Sequence, residues 1–388
     1  MDFGFTKEEE ELIEEVRVFI KQEVTPELVA ETEDLGAIYG GTQARKFMKK
    51  FATKGWLTPN WPREYGGLGS SEMVTYMIRD EMAYARLPLY FVGAHMAGPT
   101  ILRVGSEEMK REFLPPIARG ELEFVLGYTE PDAGSDLASL TIHAEDKGDF
   151  FLVNGQKTFN THSHVGDYHW LAARTDLDAP KHKGISMLIV DMKSKGITIS
   201  PLITMAGWRT NEVFYDGVVV PKKNLVGEKN KGFYYLLGAL DFERMFPPKA
   251  YQRLFEEIAD YARETIVDGR PLSKNPLIRQ KLAQIAIELE VAKLLYYQLA
   301  YILDKEKIPD YQSSMEKMFA TEMAQRITNT GMEVLGLYGQ LTKGSKWAPL
   351  AGKVEHDYRG SVVETIYAGT SEIMRNIIAQ RGLGLPRG

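Results

Sequence analysis

Apolar residues recur at helical intervals in the first third of the chain. In 6–24 they occupy one side of a predicted helix. Thr6 and Glu9 stand three residues apart before that run, which is the spacing of a capping box. Similar patterns cover 42–54, 71–85 and 107–119 and are separated by glycine-rich turns. The first section is therefore predicted to be α-rich.

Short runs of β-branched and aromatic residues replace this period after about Gly120. The runs predict strands, with turns between them at Asn154-Gly155 and Lys183-Gly184. The predicted strands cover 150–153, 168–173, 185–190, 197–203 and 213–220. Because no helical pattern lies between the strands, we expect an antiparallel sheet or barrel instead of a doubly wound sheet.

The helical period returns from Gly232 onward. Long apolar-periodic segments cover 277–303 and 313–337, and a further one begins after Ala368-Gly369. Long helices joined by short links predict an antiparallel bundle. The fold class is thus mainly α with a central β domain. We predict an N-terminal helical domain at 1–120, a middle β domain at 121–228 and a C-terminal helical bundle at 229–388.

Composition excludes several classes of protein. The 388 residues carry a net charge of −6 and contain no cysteine, so disulfide frameworks, thiolate metal sites and cysteine nucleophiles are excluded. No basic run favours nucleic acid, and no apolar run reaches the roughly 18 residues of a membrane span. The N-terminus lacks the pattern of a signal peptide, so a cytoplasmic location is expected.

Several common catalytic motifs are missing. The sequence has no Gly-x-Gly-x-x-Gly fingerprint for nicotinamide dinucleotides and no Gly-x-Ser-x-Gly elbow for hydrolysis. His162, His164 and His169 lie close in sequence, but no carboxylate set completes a zinc site. We interpret them as polar loop histidines and expect no metal.

Three polar segments could bind a ligand. The segment 126–136 offers hydroxyls and bare backbone N–H groups, 156–161 places an aromatic between hydroxyls at a strand end, and 365–375 starts a helix with Gly-Thr-Ser-Glu. Taken singly, each also has an ordinary structural interpretation: a polar turn, a core aromatic and a helix cap.

Together, in this order and spacing, the three segments resemble the acyl-CoA dehydrogenase family of flavoproteins. Further similar stretches extend the resemblance over essentially the whole chain: 61–69, 98–102, 211–216, 240–244 and 375–379. The resemblance implies a helical N-terminal domain, a middle β-barrel or sandwich and a C-terminal four-helix bundle. It also implies FAD as cofactor, a homotetramer, and an electron-transfer flavoprotein as partner.

Enzymes of this family oxidise an acyl-CoA thioester to its 2,3-enoyl product. A carboxylate removes the α-proton while the β-hydrogen leaves as hydride to flavin N5. Carried over position by position, the residues expected along FAD are Leu126, Tyr128, Thr129, Gly134, Ser135, Phe159, Thr161, Gly369, Thr370 and Glu372. Those expected to contact the acyl-CoA are Ser135, Asp241, Arg244 and Ala368.

The catalytic base is where the sequence departs from many relatives. They carry glutamate after the tyrosine of the last motif, whereas this chain has Ala368, which cannot accept a proton. Isovaleryl-CoA and long-chain acyl-CoA dehydrogenases instead place the base before an arginine on another helix, and Glu243-Arg244 occupies that place. The resemblance therefore implies Glu243 as base, with the Ala368 N–H polarising the thioester carbonyl.

Two further departures keep alternatives open. Pro247-Pro248 should kink or begin a helix directly after the expected base. Thr265 stands where the family commonly has an arginine that reaches FAD across a subunit interface. The alternatives are a non-catalytic companion subunit of a hetero-oligomeric enzyme, or another reaction on the same scaffold, such as desulfination.

Overall fold

A computed structural model describes residues 4–35, 41–88, 92–307 and 309–386, apart from the side chains of 33–35 and 241–243. The chain forms two compact units. The first unit comprises Met1–Thr75 and Leu87–Glu243, and the second comprises Tyr76–Arg86 and Arg244–Gly388. The predicted division into three domains at about residues 120 and 228 stays a prediction.

Helices form the N-terminal part of the chain, as predicted. Their bounds are α1 Lys7–Glu23, α2 Pro26–Leu35, α3 Thr42–Thr53, α4 Glu72–Tyr84, α5 Gly98–Val104 and α6 Glu107–Ala118. The capping box of α1 is confirmed, because the Thr6 hydroxyl accepts from the Glu9 N–H and the Glu9 carboxylate accepts from the Thr6 N–H. An aromatic cluster packs α1 on α3 and on the residues that follow α3. The ring centroid of Phe19 lies 5.8 Å from that of Phe47 and 5.4 Å from that of Trp56.

A single large sheet follows these helices in the first unit. Its strands are β1 Phe124–Gly127, β2 His143–Asp146, β3 Phe150–Lys157, β4 Tyr168–Arg174, β5 Ile185–Asp191, β6 Ile197–Ile203, β7 Arg209–Pro221 and β8 Leu225–Val226. They are ordered β6-β7-β3-β2-β4-β5-β8, and β1 also pairs with β4. Most pairs are antiparallel, as predicted, whereas β1 and β2 each run parallel to β4.

The prediction of a turn at Asn154-Gly155 was wrong. Strand β3 continues through both residues and pairs with β7 on either side of a register shift between Val153 and Gly155. Gly155 has a φ of 140°, and the register shift places the extra residue in β7, where Tyr215 to Val218 faces Gly155 to Val153. The irregularity is thus a bulge of β7 and not a hairpin turn of β3. The chain reverses earlier, at Gly148, between β2 and β3.

The prolines after the expected base separate two helices. Helix α7 spans Gly232–Glu243 and ends the first unit, and α8, Pro248–Glu264, starts in the second unit with proline in its first turn. Proline suits that position because the first N–H groups of a helix have no intrahelical acceptor. The prediction that the Pro247-Pro248 pair kinks or begins a helix is confirmed.

The second unit is built from helices that share one apolar core. After α8 come the short strands β9 Ile266–Val267 and β10 Arg270–Pro271, then α9 Pro276–Asp304, α10 Tyr311–Leu335, α11 Lys353–Glu364 and α12 Ser371–Ile377. The core joins Ile258 of α8, Leu289 of α9, Ile327 of α10 and Val354 of α11. A bundle of long helices is thus confirmed. Within the described residues, no helix is both long and apolar enough to cross a membrane.

The irregular pairing at Gly155 makes a testable prediction about stability. A Cβ at this position would lie 2.8 Å from Ile142 Cγ1 and 3.0 Å from its Cα, so Gly155→Ala must displace backbone. We expect a loss of about 3 kcal/mol from overpacking and strain. Gly148→Ala is the control, because Gly148 has a φ of 87° and open space around it, and should cost only about 1 kcal/mol. Thermal unfolding of both variants tests this, and equal Tm losses would contradict it.

Candidate functional site

The loop after β1 is anchored by a buried lysine. Lys157 Nζ donates to the Tyr128 carbonyl at 2.7 Å and to Glu130 Oε1 at 2.9 Å. Glu130 in turn accepts from the backbone N–H groups of Thr141, at 2.6 Å, and Ile142, at 3.0 Å. These bonds fix the backbone on both sides of Thr129, one of the residues expected along FAD.

This ion pair has almost no contact with water. The side chain of Lys157 is 0% exposed and that of Glu130 is 4% exposed. Burial lowers the pKa of Lys157 to about 8, against the opposing attraction of Glu130. Burial alone would raise the pKa of Glu130, but Lys157 and the two backbone N–H groups outweigh it and lower that pKa. Both side chains are therefore held in their ionised forms by one another.

Sequence reasoning singled out neither member of this pair. A signal was present in β3, where Phe151, Val153 and Lys157 all occupy buried positions of the same parity. A charged residue on the apolar side of a strand needs a buried polar partner, such as a carboxylate or a carbonyl.

The turn after β3 presents Phe159 to solvent. Phe159 has a φ of 55° and is 60% exposed. Its neighbour Asn160 is fixed to β7, because Asn160 N–H donates to the Asn211 carbonyl and Asn211 Nδ2 donates to the Asn160 carbonyl, both at 2.9 Å. Thr158 N–H donates to the Thr129 carbonyl at 2.9 Å, which joins this turn to the loop after β1. The exposed ring thus sits on a well-ordered turn.

Other predicted residues of the first unit lie at accessible positions. Thr161 is exposed, and its Oγ1 is 3.4 Å from Thr210 Oγ1. Gly134 and Ser135 are exposed in the loop after β1, and a Cβ on Gly134 would meet nothing within 4 Å. Tyr128 is buried and Leu126 is half-buried in this part of the sheet.

One of the three histidines differs from the prediction. His169 is fully buried in strand β4, bonded through Nδ1 to the Tyr215 hydroxyl, and is therefore not a loop residue. His162 and His164 do lie in the turn before β4, where His164 Nδ1 is 3.2 Å from Asn211 Nδ2. Burial lowers the pKa of His162 and of His169 to about 3, so both are neutral. No group of side chains suited to a metal occurs in the described part of the chain.

The second unit contributes a turn with two left-handed residues. Ala368 has a φ of 53° and Gly369 a φ of 100°. Arg244, which is 9% exposed, donates from Nε to the Ala368 carbonyl at 3.2 Å. Among the described residues, no acceptor bonds to the Ala368 N–H. The turn is thereby held through the Ala368 carbonyl.

A helix start follows this turn. Thr370 caps α12 by accepting from the Ile373 N–H, as predicted for Thr370 or Ser371. The exposed Glu372 has a lowered pKa because a backbone N–H and the Thr370 hydroxyl stabilise its carboxylate. The Ser371 hydroxyl is buried without a hydrogen bond to any described residue.

The expected base stands at the end of α7. The backbone of Asp241 and Glu243 forms the last turn of that helix, and their side chains lie outside what the structure describes. Glu243 is covalently next to Arg244, the residue that binds the Ala368 carbonyl.

The two sets of residues fit FAD by their own chemistry. In the first unit, the exposed Phe159 ring offers a flat apolar surface and the open Gly134 loop offers backbone N–H groups. In the second unit, the capped helix start with the unbonded Ser371 hydroxyl offers donors to a polar group.

Family models match nearly the whole chain. The N-terminal, middle and C-terminal domains of acyl-CoA dehydrogenases match residues 6–121, 125–218 and 230–383. Among curated proteins, the chain is 37% identical to "Acyl-CoA dehydrogenase FadE26" of Mycobacterium tuberculosis, over 100% of this chain and 99% of that protein. It is 28% identical to the mitochondrial long-chain specific acyl-CoA dehydrogenase of Rattus norvegicus, over 97% and 87% of the two chains.

Solved structures give the same result. The chain is similar to a structure described as "Tcur3481-Tcur3483 steroid ACAD", with a TM-score of 0.92, 35% identity and 100% of both chains covered. The ChsE4–ChsE5 complex from Mycobacterium tuberculosis also has a TM-score of 0.92, with 36% identity and full coverage of both chains. A glutaryl-coenzyme A dehydrogenase has a TM-score of 0.85 at 29% identity, covering 100% of this chain and 98% of that one.

The buried pair in the loop after β1 can be tested by a double-mutant cycle. Lys157→Met leaves the Glu130 carboxylate buried without its cation and should cost about 3–5 kcal/mol. Glu130→Gln should be similarly harmful, and the double variant should be more stable than either single variant. Thermal unfolding and retention of bound flavin measure both effects.

The control for this cycle is an exposed ion pair on the same sheet. Lys147 Nζ lies 2.6 Å from Glu145 Oε1, and the two side chains are 41% and 49% exposed. Lys147→Met should therefore lower the free energy of unfolding by less than about 1 kcal/mol. If Lys157→Met is as mild as Lys147→Met, the loop does not depend on the buried pair.

Proposed function

Because the chain belongs to the acyl-CoA dehydrogenase family of FAD-dependent oxidoreductases, we propose that it converts an acyl-CoA thioester to the 2,3-enoyl-CoA with Glu243 as base. The observation that supports this assignment is the hydrogen bond from Arg244 to the Ala368 carbonyl. It ties the residue after Glu243 to the turn that carries the proposed carbonyl donor.

Named residues polarise the carbonyl and remove the proton in the proposed reaction. The Ala368 N–H donates to the thioester carbonyl oxygen, which makes the α-proton more acidic and stabilises the developing enolate. The Glu243 carboxylate takes up that proton as a double bond forms between Cα and Cβ. Bound FAD supplies the acceptor for the hydride that leaves Cβ. Arg244 keeps Ala368 in place by binding its carbonyl.

The remaining predicted residues would bind the cofactor and the CoA. We assign Leu126, Tyr128, Thr129, Phe159 and Thr161 to the flavin ring. Gly134, Ser135, Gly369, Thr370 and Glu372 are assigned to the rest of FAD. Ser135 and Asp241 would contact the acyl-CoA. Support comes from the exposed positions of Phe159, Thr161, Gly134 and Ser135.

Exposed apolar residues on α9 support the proposed homotetramer. Leu277, Ile287 and Leu294 are 71%, 61% and 63% exposed, more than a helix facing only water would carry. An electron-transfer flavoprotein is the proposed acceptor of electrons, and the cytoplasmic location stays a prediction from the sequence.

A second candidate is a companion subunit of a two-chain enzyme. Solved structures similar to this chain are described as "Tcur3481-Tcur3483 steroid ACAD" and as the ChsE4–ChsE5 complex. Thr265, at the place of a family arginine, also favours a site that an unlike chain completes. The presence of Glu243 favours the catalytic role.

Assembly and flavin content distinguish the two candidates. For a homotetramer, light scattering of the purified protein should give a mass near four times 43.8 kDa, and heat should release FAD. A monomer that holds FAD would contradict the tetramer. A colourless protein that acquires flavin only with an unlike chain would favour the companion subunit.

The base is tested by Glu243→Gln. Glutamine keeps the size of the side chain but cannot take up the α-proton, so FAD should stay bound while flavin reduction slows by about 10²–10⁴-fold. The measurement is anaerobic bleaching of the flavin by octanoyl-CoA, isovaleryl-CoA and 3-phenylpropanoyl-CoA.

Glu11→Gln is the matched control, since Glu11 is 67% exposed on α1. This control should reduce its flavin at the wild-type rate. A wild-type rate in Glu243→Gln would instead assign the base to another residue.

A further inference from the structure

Two adjacent charged residues of α10 are fully buried in the second unit. Glu316 is 1% exposed and Lys317 is 0% exposed. Glu316 Oε1 accepts from the Phe246 N–H at 3.2 Å, and Lys317 Nζ donates to the Glu364 carbonyl at 2.9 Å. Because successive side chains on a helix point about 100° apart, each binds a different segment.

The first of these segments is the linker 244–247, which follows Glu243. Its backbone is held at two atoms, since Arg79 donates to the Met245 carbonyl at 3.3 Å and Glu316 accepts from the Phe246 N–H. Pro247 and Pro248 have no N–H, so the Phe246 amide is the last donor before Lys249. Glu316 thus binds the final hydrogen-bond donor of the linker.

The second segment is the turn 364–370, which carries Ala368. Lys317 binds its first carbonyl, and the Lys317 ammonium lies 6.0 Å from the centre of the Tyr367 ring. The linker and this turn also meet directly. The Phe246 ring stacks on Tyr367 with centroids 5.9 Å apart and planes 23° apart, and Arg244 binds the Ala368 carbonyl.

Glu316 is a costly residue at this position. Burial raises its pKa, while the Phe246 N–H, Arg79 and Lys317 favour the ionised form. Its second carboxylate oxygen, Oε2, is buried without a hydrogen bond to any described residue. An apolar residue here would leave the Phe246 N–H without its acceptor, so the contact with the linker is the use of this carboxyl group that the structure shows.

We propose that Glu316 and Lys317 are positioning residues that fix Arg244 and Ala368 relative to one another, and so set the orientation of the Ala368 N–H. The catalytic part of this inference rests on the proposed function, in which that N–H polarises the thioester. Neither residue is proposed to touch the substrate. They act through the backbone of the two segments.

Hydrogen exchange of the FAD-bound protein tests the structural part without any substrate. Glu316→Ala removes the acceptor of the Phe246 N–H, so a peptide containing 245 and 246 should exchange at least about tenfold faster. Glu316→Gln keeps an acceptor oxygen and should exchange nearly as slowly as the wild type. Lys317→Met should accelerate exchange in the turn 364–370.

Thr328→Val is the matched control for loss of a buried polar group on the same helix. Thr328 is 3% exposed and bonds to the Ala324 and Gln325 carbonyls and the Ser361 hydroxyl, none of which belongs to either segment. In Thr328→Val, hydrogen exchange in the linker and in the turn should equal that of the wild type. The proposal would be overturned if Thr328→Val exchanged faster than the wild type in these segments. It would also be overturned if Glu316→Ala exchanged no faster than the wild type in the linker.

Flavin reduction tests the catalytic part. With whichever of octanoyl-CoA, isovaleryl-CoA or 3-phenylpropanoyl-CoA bleaches the wild type, Glu316→Ala should lower the saturated rate by about 10–100-fold. The half-saturating concentration should change by less than about threefold, because binding contacts remain. Glu316→Gln should recover most of the rate, and Thr328→Val should keep it.

The outcomes separate this proposal from the proposed function. If no acyl-CoA bleaches the wild type, the proposed function fails, and the exchange experiment alone decides whether the pair holds the two segments. If the wild type is bleached and Glu316→Ala is reduced at the wild-type rate with full FAD content, the positioning role is overturned.

Discussion

A charge moved from water into a protein interior costs several kcal/mol unless opposite charges and N–H groups surround it. This constraint governs the regions that carry the candidate residues in both units. Lys157 satisfies it by binding the Tyr128 carbonyl and Glu130, which fixes the loop beside Thr129. Lys317 satisfies it by donating to the Glu364 carbonyl in the turn around Ala368. In each unit, a buried lysine binds backbone, so the need to balance its charge also orders a segment.

The regular elements could be predicted from sequence because each has a local cause. The capping box of α1, the strand at Ile197–Ile203 and the proline start of α8 depend on residues within a few positions of one another. A continuous strand at Asn154-Gly155 could not be distinguished from a hairpin turn, because Asn-Gly favours a turn and only pairing with β2 and β7 extends the strand. Long-range pairing overrode the local preference.

The candidate site was predictable only in part for a similar reason. Motif positions such as Phe159 and Thr370 follow from the family resemblance, and the structure adds their exposure and capping. The partners of buried charges lie far away in sequence: Glu130 is 27 residues from Lys157, and Phe246 is 70 residues from Glu316. No local pattern specifies which residues pair, although a charged residue on an apolar face indicates that it has a buried partner.

The turn at 368–369 separates two conformational requirements. A left-handed backbone costs a residue with a Cβ about 1–2 kcal/mol, and Ala368 adopts it with its carbonyl bound to Arg244. At Gly369, a Cβ would lie 2.4 Å from Met374 Cε, which ends a flexible side chain and can move aside. The φ of 100° at Gly369 is the stronger constraint, because it strains any residue that has a Cβ. The backbone at position 369 therefore favours glycine.

The second unit is built from two separate segments of the chain, and this has a consequence for the order of events during synthesis. Its segment Tyr76–Arg86 is made early, whereas the rest of the unit begins only at Arg244. At roughly 5–20 residues per second, the ribosome needs on the order of 10–30 s to make the intervening stretch. During that time Tyr76 lacks Tyr296, whose ring centre will lie 4.7 Å away, and Asp80 lacks Lys249. We expect the charges of Arg79, Asp80 and Glu81 to keep this segment hydrated and so to limit its association with other nascent chains until the bundle is made.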